Sequence, residues 1–128
     1  MSVLAGDYSI TNVRAAAILT TSYVEGTVIQ AQPHHNQLVI YWGFTKGSLT
    51  SGELKVEFSN DNSTYFQETF SSISGGTSTE TVGEHTQTAT GNYRIAVPIN
   101  DRYVKISVKG TGTVTSSSSN VKAILGTV

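Results

Sequence analysis

The chain has 128 residues, of which 38% are hydrophobic and 13% charged, with a net charge of −1. That suits about one domain with one hydrophobic core, lacks the basic footprint of a nucleic-acid binder, and leaves Lys and Arg too scattered for a polybasic membrane patch. Cysteine is absent, so neither disulfides nor thiol chemistry is available.

Residues 1–12, MSVLAGDYSITN, carry apolar side chains at Val3, Leu4, Tyr8 and Ile10 without a clear period. They read either as a first edge strand or mobile terminus, or as an arm that reaches a neighbouring subunit by strand addition. The start has no basic segment leading into an apolar core, so no secretory signal is read and synthesis in a cytoplasm is expected. No stretch reaches the ~18 apolar residues of a membrane helix, and a soluble protein is expected.

Ile18–Val24 is rich in β-formers and predicts a strand ending at Val24. Glu25-Gly26 marks a turn, Thr27–Ala31 a short strand, and Gln32–Gln37 a polar loop. Leu38–Phe44, LVIYWGF, is apolar throughout, which predicts a strand buried on both faces or at a subunit contact. Lys46–Gly52 reads as a loop. Leu54, Val56 and Phe58 alternate with Lys55 and Glu57, the pattern of a half-buried strand.

Asn60-Asp61-Asn62 predicts a tight turn into an aromatic strand, Tyr65–Phe70. Ser71–Thr90 is polar and longer than an ordinary loop, so it should hold a weak edge strand or a functional excursion. Next comes the segment around which the fold is organised, Gly91–Lys109. Tyr93, Ile95 and Val97 alternate with polar or small residues, as do Val104, Ile106 and Val108. Between the two runs, Pro98–Arg102 predicts a hairpin or an inter-sheet corner. Thr111–Asn120 reads as a flexible loop and Val121–Val128 as a closing strand. About eight or nine strands and no helix predict an all-β fold, an antiparallel β-sandwich with jelly-roll connection as one form of it. An arm over 1–12 and a single domain over 13–128 describe the organisation.

Catalytic and metal-binding patterns are missing. His34 and His35 are adjacent, but the third histidine, His85, is far along the chain, so two solvated loop histidines are expected. Ser59–Ser63 has the oxygen-rich look of a calcium loop, yet lacks the glycine and bidentate glutamate of an EF-hand; turn chemistry explains it. No serine lies in a G-x-S-x-G context, and Asp7, Asp61 and Asp101 each sit beside turn residues. Gly110-Thr111-Gly112 lacks the lysine and the helix of a phosphate loop. The expectation is a non-enzyme without cofactor or metal. Adjacent aromatics Tyr65 and Phe66 cannot both face one core, so one should be exposed, covered by a second sheet, or buried at an interface.

The segments TSYVEGTVIQA, NQLVIYWGFTKGSLTSGELKVEFSNDNSTYFQE and NYRIAVPINDRYVKISVKGTGT resemble a set of small bacteriophage virion proteins. In those, a strand ending in VEFS precedes an Asn/Asp turn and an aromatic strand, and an RYVKISVKGTGT-like strand pair comes near the end. The resemblance implies a virion structural component, best matched to a capsid decoration protein on the assembled head, often a trimer at a symmetry axis. The implied partners are the major capsid protein and further copies of the chain, with neither nucleic acid nor membrane, and the implied location is the capsid surface. Val3, Leu4, Tyr8, Ile10, Tyr65 and Phe66 are the candidate interface residues. The rival reading is a carbohydrate- or receptor-binding module of a tail or fibre, which would use exposed aromatics such as Tyr65.

Overall fold

The structure is a computed structural model that describes residues 8–74, 76–82 and 84–127, with backbone alone for 70–74 and 77–82. Its long strands are β1 (Ser9–Ala17), β4 (Gln37–Thr45), β5 (Leu49–Ser59), β10 (Gly91–Pro98), β11 (Tyr103–Gly112) and β12 (Ser118–Gly126). Shorter ones are β2 (Val24–Glu25), β3 (Ile29–Gln30), β6 (Phe66–Gln67), β7 (Thr69–Ser74), β8 (Thr77–Val82) and β9 (His85–Gln87). A first sheet runs β1-β12-β4-β10. A second runs β2-β11-β5-β6, with β3 also on β11 and β9 also on β5, and every pairing is antiparallel. Taking β2 with β3 and β6 with β9 as single interrupted strands leaves eight, in jelly-roll order. The predicted all-β sandwich is the observed fold.

The core lies between the sheets. Leu38, Ile40, Trp42 and Phe44 of β4 meet Leu54, Val56 and Phe58 of β5 and Val104, Ile106 and Val108 of β11. Trp42 is fully buried, and its indole N–H donates to Ser119 Oγ at 2.9 Å, so the one polar atom of the ring is satisfied. Gly91–Lys109 is the inter-sheet corner rather than a hairpin: β10 pairs with β4 in one sheet and β11 with β5 in the other. Pro98 ends β10, and the following Ile99 is buried, its N–H donating to the Asn36 carbonyl at 3.0 Å.

Several segments differ from the sequence expectation, each for a packing reason. The stretch 18–23 is not a strand: β1 ends at Ala17 and Leu19 plugs the core, its N–H donating to Ser117 Oγ. Ser9–Asn12 belong to β1 and pair with β12 from Leu125 to Lys122, so the extended start is an edge strand from Ser9 onward. The loop after Lys46 is only a turn, because Leu49 is buried and already opens β5. Gly47 holds a φ of 56°, the left-handed region that favours glycine. Thr111–Asn120 is no flexible loop either. It contains the last residues of β11, a turn closed by Ser117 N–H to Val114 O, and buried Ser117 and Ser119. The polar stretch from Ser71 does hold the expected edge strand, β9, together with most of a separate β7–β8 hairpin.

The Asn60–Asn62 turn forms as the sequence predicts. Asp61 Oδ1 accepts from the N–H groups of Ser63 and Thr64, both at 2.9 Å, and from the Ser59 hydroxyl. Asn62 takes the positive φ of 58° that asparagine tolerates. The bonds from Thr64, Ser63 and Ser59 hold the Asp61 carboxyl below its ordinary range. Burial lowers the pKa of His85, on β9.

Both shifts make acid destabilising. The unfolded chain takes up protons that the native groups resist, so stability rises with pH across each interval. The His85 contribution is complete above the unfolded pKa of 6.5 and is lost as pH falls from there toward the native value. The Asp61 contribution is present above 3.8 and is lost as pH falls through the depressed native value. Denaturant midpoints measured from pH 7.5 downward should therefore decrease, and Asp61→Asn should flatten the most acidic part of the curve.

Candidate interaction surface

The two outer faces of the sandwich differ in chemistry. On the second sheet, β5 and β11 project alternating charges. Lys105 is paired with Glu25 at 2.9 Å, Lys55 with Glu57 at 3.7 Å and Lys109 with Glu84 at 3.8 Å. The Tyr23 ring lies beneath two of these ammoniums, 4.6 Å from Lys55 and 5.1 Å from Lys109, and its hydroxyl donates to Glu84. Burial, then the Glu84 bond, pushes the Tyr23 pKa up. Glu53 is buried on this face but not unpaired, since Ser51 and Thr111 hydroxyls donate to it. This is a charge-compensated surface.

The first sheet is different. Its register lines up residues straight across all four strands. Ile10 pairs with Ile124, Ile124 with Val39 and Val39 with Ala96, an apolar row on the face away from the core. The next row is Asn12, Lys122, Tyr41 and Arg94. On the other side, the Tyr8 ring packs where a Cβ on Gly126 would lie, 3.1 Å away. Ile10 is 66% exposed, Tyr8 58% and Tyr41 40%. With Gln37 and Arg94 they line a groove of about 640 Å³. These apolar side chains form one open group rather than ordinary single scatter.

The reading of Leu38–Phe44 as doubly buried is corrected here. Burial along β4 alternates, with Leu38, Ile40, Trp42 and Phe44 inside and Val39 and Tyr41 outside. The strand is amphipathic by position, but its outward residues are apolar too, so no alternation shows in the letters.

The candidate interface residues fall in separate places. Tyr8 and Ile10 join the groove of the first sheet. Val3 and Leu4 lie outside the described residues. Tyr65 and Phe66 belong to the edge of the second sheet and are not part of the groove. Tyr65 is half-buried with the Lys105 ammonium 4.1 Å over its ring, and its hydroxyl donates to Asn62. Phe66 pairs with Phe58 and is 69% exposed, so one of the two adjacent aromatics is exposed as their alternation requires. Phe66→Ser should change stability by less than about 0.5 kcal/mol, measured by urea denaturation, because it removes little buried surface. Sequence reading reached Val39 and Tyr41 only as part of the apolar run Leu38–Phe44, and it missed Arg94 and Ile124, which lie on β10 and β12.

Among the described residues, no three His, Asp or Glu side chains gather as metal ligands do. His34 is exposed, whereas His35, expected to be solvated, is buried and accepts the Gln32 N–H through Nδ1 at 3.1 Å. A second groove, of about 670 Å³, lies beside His35, between Gln32 and Asn36 on one side and Asn100, Asp101 and Arg102 on the other. Its lining mixes these polar residues with Ala31, Pro33 and Ile99, and no Phe, Tyr or Trp lines it.

No protein family and no curated protein matches the chain. Among solved structures, the crystal structure of PBSX exported protein XepA has a similar fold, with a TM-score of 0.63 at 14% sequence identity. The similarity covers 100% of this chain and 39% of that one, so the chain spans about two fifths of its length. The likeness is one of fold.

Proposed function

We propose that this chain is a non-enzymatic phage virion structural protein, a capsid decoration protein that binds and stabilises the assembled head. The observation that carries the reading is the open apolar row across the outer face of the first sheet of a small sandwich. The sequence resemblance to small virion proteins supports it, and so does a fold shared with the phage PBSX protein. Attachment through one face leaves the charge-compensated second sheet toward solvent. Copies of the chain, as a homotrimer, can cover the free edges of β1 and β10 that the sandwich leaves unpaired. The segment before Tyr8 then reaches the coat lattice or a neighbouring copy.

The test is the copy number of this chain relative to the major coat protein in purified particles. One copy per coat subunit, or a simple fraction of it, is expected. A few copies per particle would move the protein to a tail or fibre, where the groove beside His35 and the exposed Phe66 are the places to seek glycan binding. Absence from particles would overturn the virion reading. For the arm, deleting residues 2–7 keeps β1 whole and should weaken attachment to particles without lowering the melting temperature. A cut through residue 12 removes Ile10 and part of β1, and so would confuse the two effects.

A further inference from the structure

The charges of the two faces are partnered differently. Strands β1, β4, β10 and β12 contain Arg14, Arg94 and Lys122 and no acidic residue. Arg14 is engaged inside its own fold, its guanidinium donating to the carbonyls of Ser119, Ala17 and Ile18 at 3.2, 3.3 and 2.9 Å. Arg94 and Lys122 are exposed, sit on either side of Tyr41 in one row, and form no salt bridge with a described residue. On the second sheet, by contrast, Lys55, Lys105 and Lys109 each have a carboxylate. The two cations flank Tyr41 on one face with no acidic residue on any strand of that sheet, whereas every lysine on β5 and β11 has its carboxylate.

We infer that the outer face of the first sheet docks on an acidic, apolar patch of the coat protein, whose carboxylates meet Arg94 and Lys122 while its apolar side chains cover the Ile10–Ile124–Val39–Ala96 row. The inference rests on the capsid reading and names the chemistry of the partner at that site. Charge complementarity selects this occupant over a second copy. Two copies pressed together by this face would set Arg94 and Lys122 against their own kind, with no acid on these strands to relieve them. The apolar row supplies the area, and the two cations supply orientation and association rate.

The experiment titrates purified particles lacking this chain with wild-type protein, with Arg94→Glu/Lys122→Glu, and with Lys46→Glu/Arg102→Glu. The last pair makes the same change of net charge outside the outward rows of the first sheet, just past the end of β4 and in the β10–β11 connection. Circular dichroism and melting temperature confirm that each variant is folded. Wild-type binding should weaken as salt rises. The Arg94/Lys122 pair should lose at least about tenfold in affinity, with the Lys46/Arg102 pair near wild type. If wild type binds and the Arg94/Lys122 variant binds equally well, the docking face is overturned while the capsid reading stands. Equal weakening of both variants also overturns it, because the effect would then be one of net charge alone. Failure of wild type to bind particles overturns the capsid reading and this inference with it.

Discussion

Trp42→Ala should destabilise the domain by about 3–5 kcal/mol, the range for removing a large buried aromatic side chain. Total stabilities of small domains are only ~5–15 kcal/mol, so the variant should sit near its unfolding threshold at 37 °C. The magnitude has a structural basis. Trp42 is 1% exposed, and its ring centroid lies 5.5 Å from that of Phe44 and 5.7 Å from that of Tyr93. Truncation opens a cavity between the sheets and also leaves the Ser119 hydroxyl, itself buried, without the indole N–H. Trp42→Phe separates the two contributions, because it keeps most of the ring volume and loses only the donor. Chemical denaturation followed by circular dichroism measures both, and it remains usable when the single tryptophan is gone. A loss below about 1 kcal/mol for the alanine variant would mean that the two sheets close up over the gap.

Gly26→Ala should cost about 1–3 kcal/mol, large for the addition of one methyl group. At Gly26 the two sheets are joined through the backbone. Its N–H donates to Ile106 O of β11 at 2.9 Å, and the next N–H, of Thr27, donates to Val13 O of β1 at 3.1 Å. A Cβ at this position would lie 2.3 Å from Val13 Cγ1, 2.7 Å from Val13 O and 3.2 Å from Ile106 O. Two of those three atoms are backbone, which cannot turn aside as a side chain can. The methyl group must push the β1 edge away from β11 and stretch one of the two bonds. Gly43→Ala is the control. The three atoms nearest its Cβ all belong to the exposed side chain of Asn120, not to backbone, so the cost should be well below that of Gly26→Ala. Melting temperatures of the two variants decide the comparison, and equal losses would mean that the Gly26 contact relaxes freely.

What the chain alone determined was local. Leu54, Val56 and Phe58 against Lys55 and Glu57 made β5 legible, because only one of its faces is apolar and alternation of side chains is a property of the single strand. The break at Pro98 and the turn at Asp61 were legible for the same reason: ring geometry and side-chain to backbone bonds act within a few residues. The serines of 111–120 misled because a hydroxyl reads as solvent-facing until a partner is known. Ser119 is buried because Trp42, on another strand, brings it a donor.

The outward apolar face of the first sheet was beyond the letters for a deeper reason. Tyr8 and Ile10 could be named as candidates, but nothing local relates them to Val39, Tyr41, Arg94 and Ile124. With Ile10 they come from four strands spread over the whole chain, and they share one face in two neighbouring rows only because the sheet order places β12 between β1 and β4, and β10 beyond β4. Register then decides everything, since a slip of one residue in any of these pairs would send its outward side chains into the core. The choice of face for Leu38–Phe44 was equally nonlocal. Both of its faces are apolar, and only the packing of β5 and β11 beneath it determines which one is core and which faces outward.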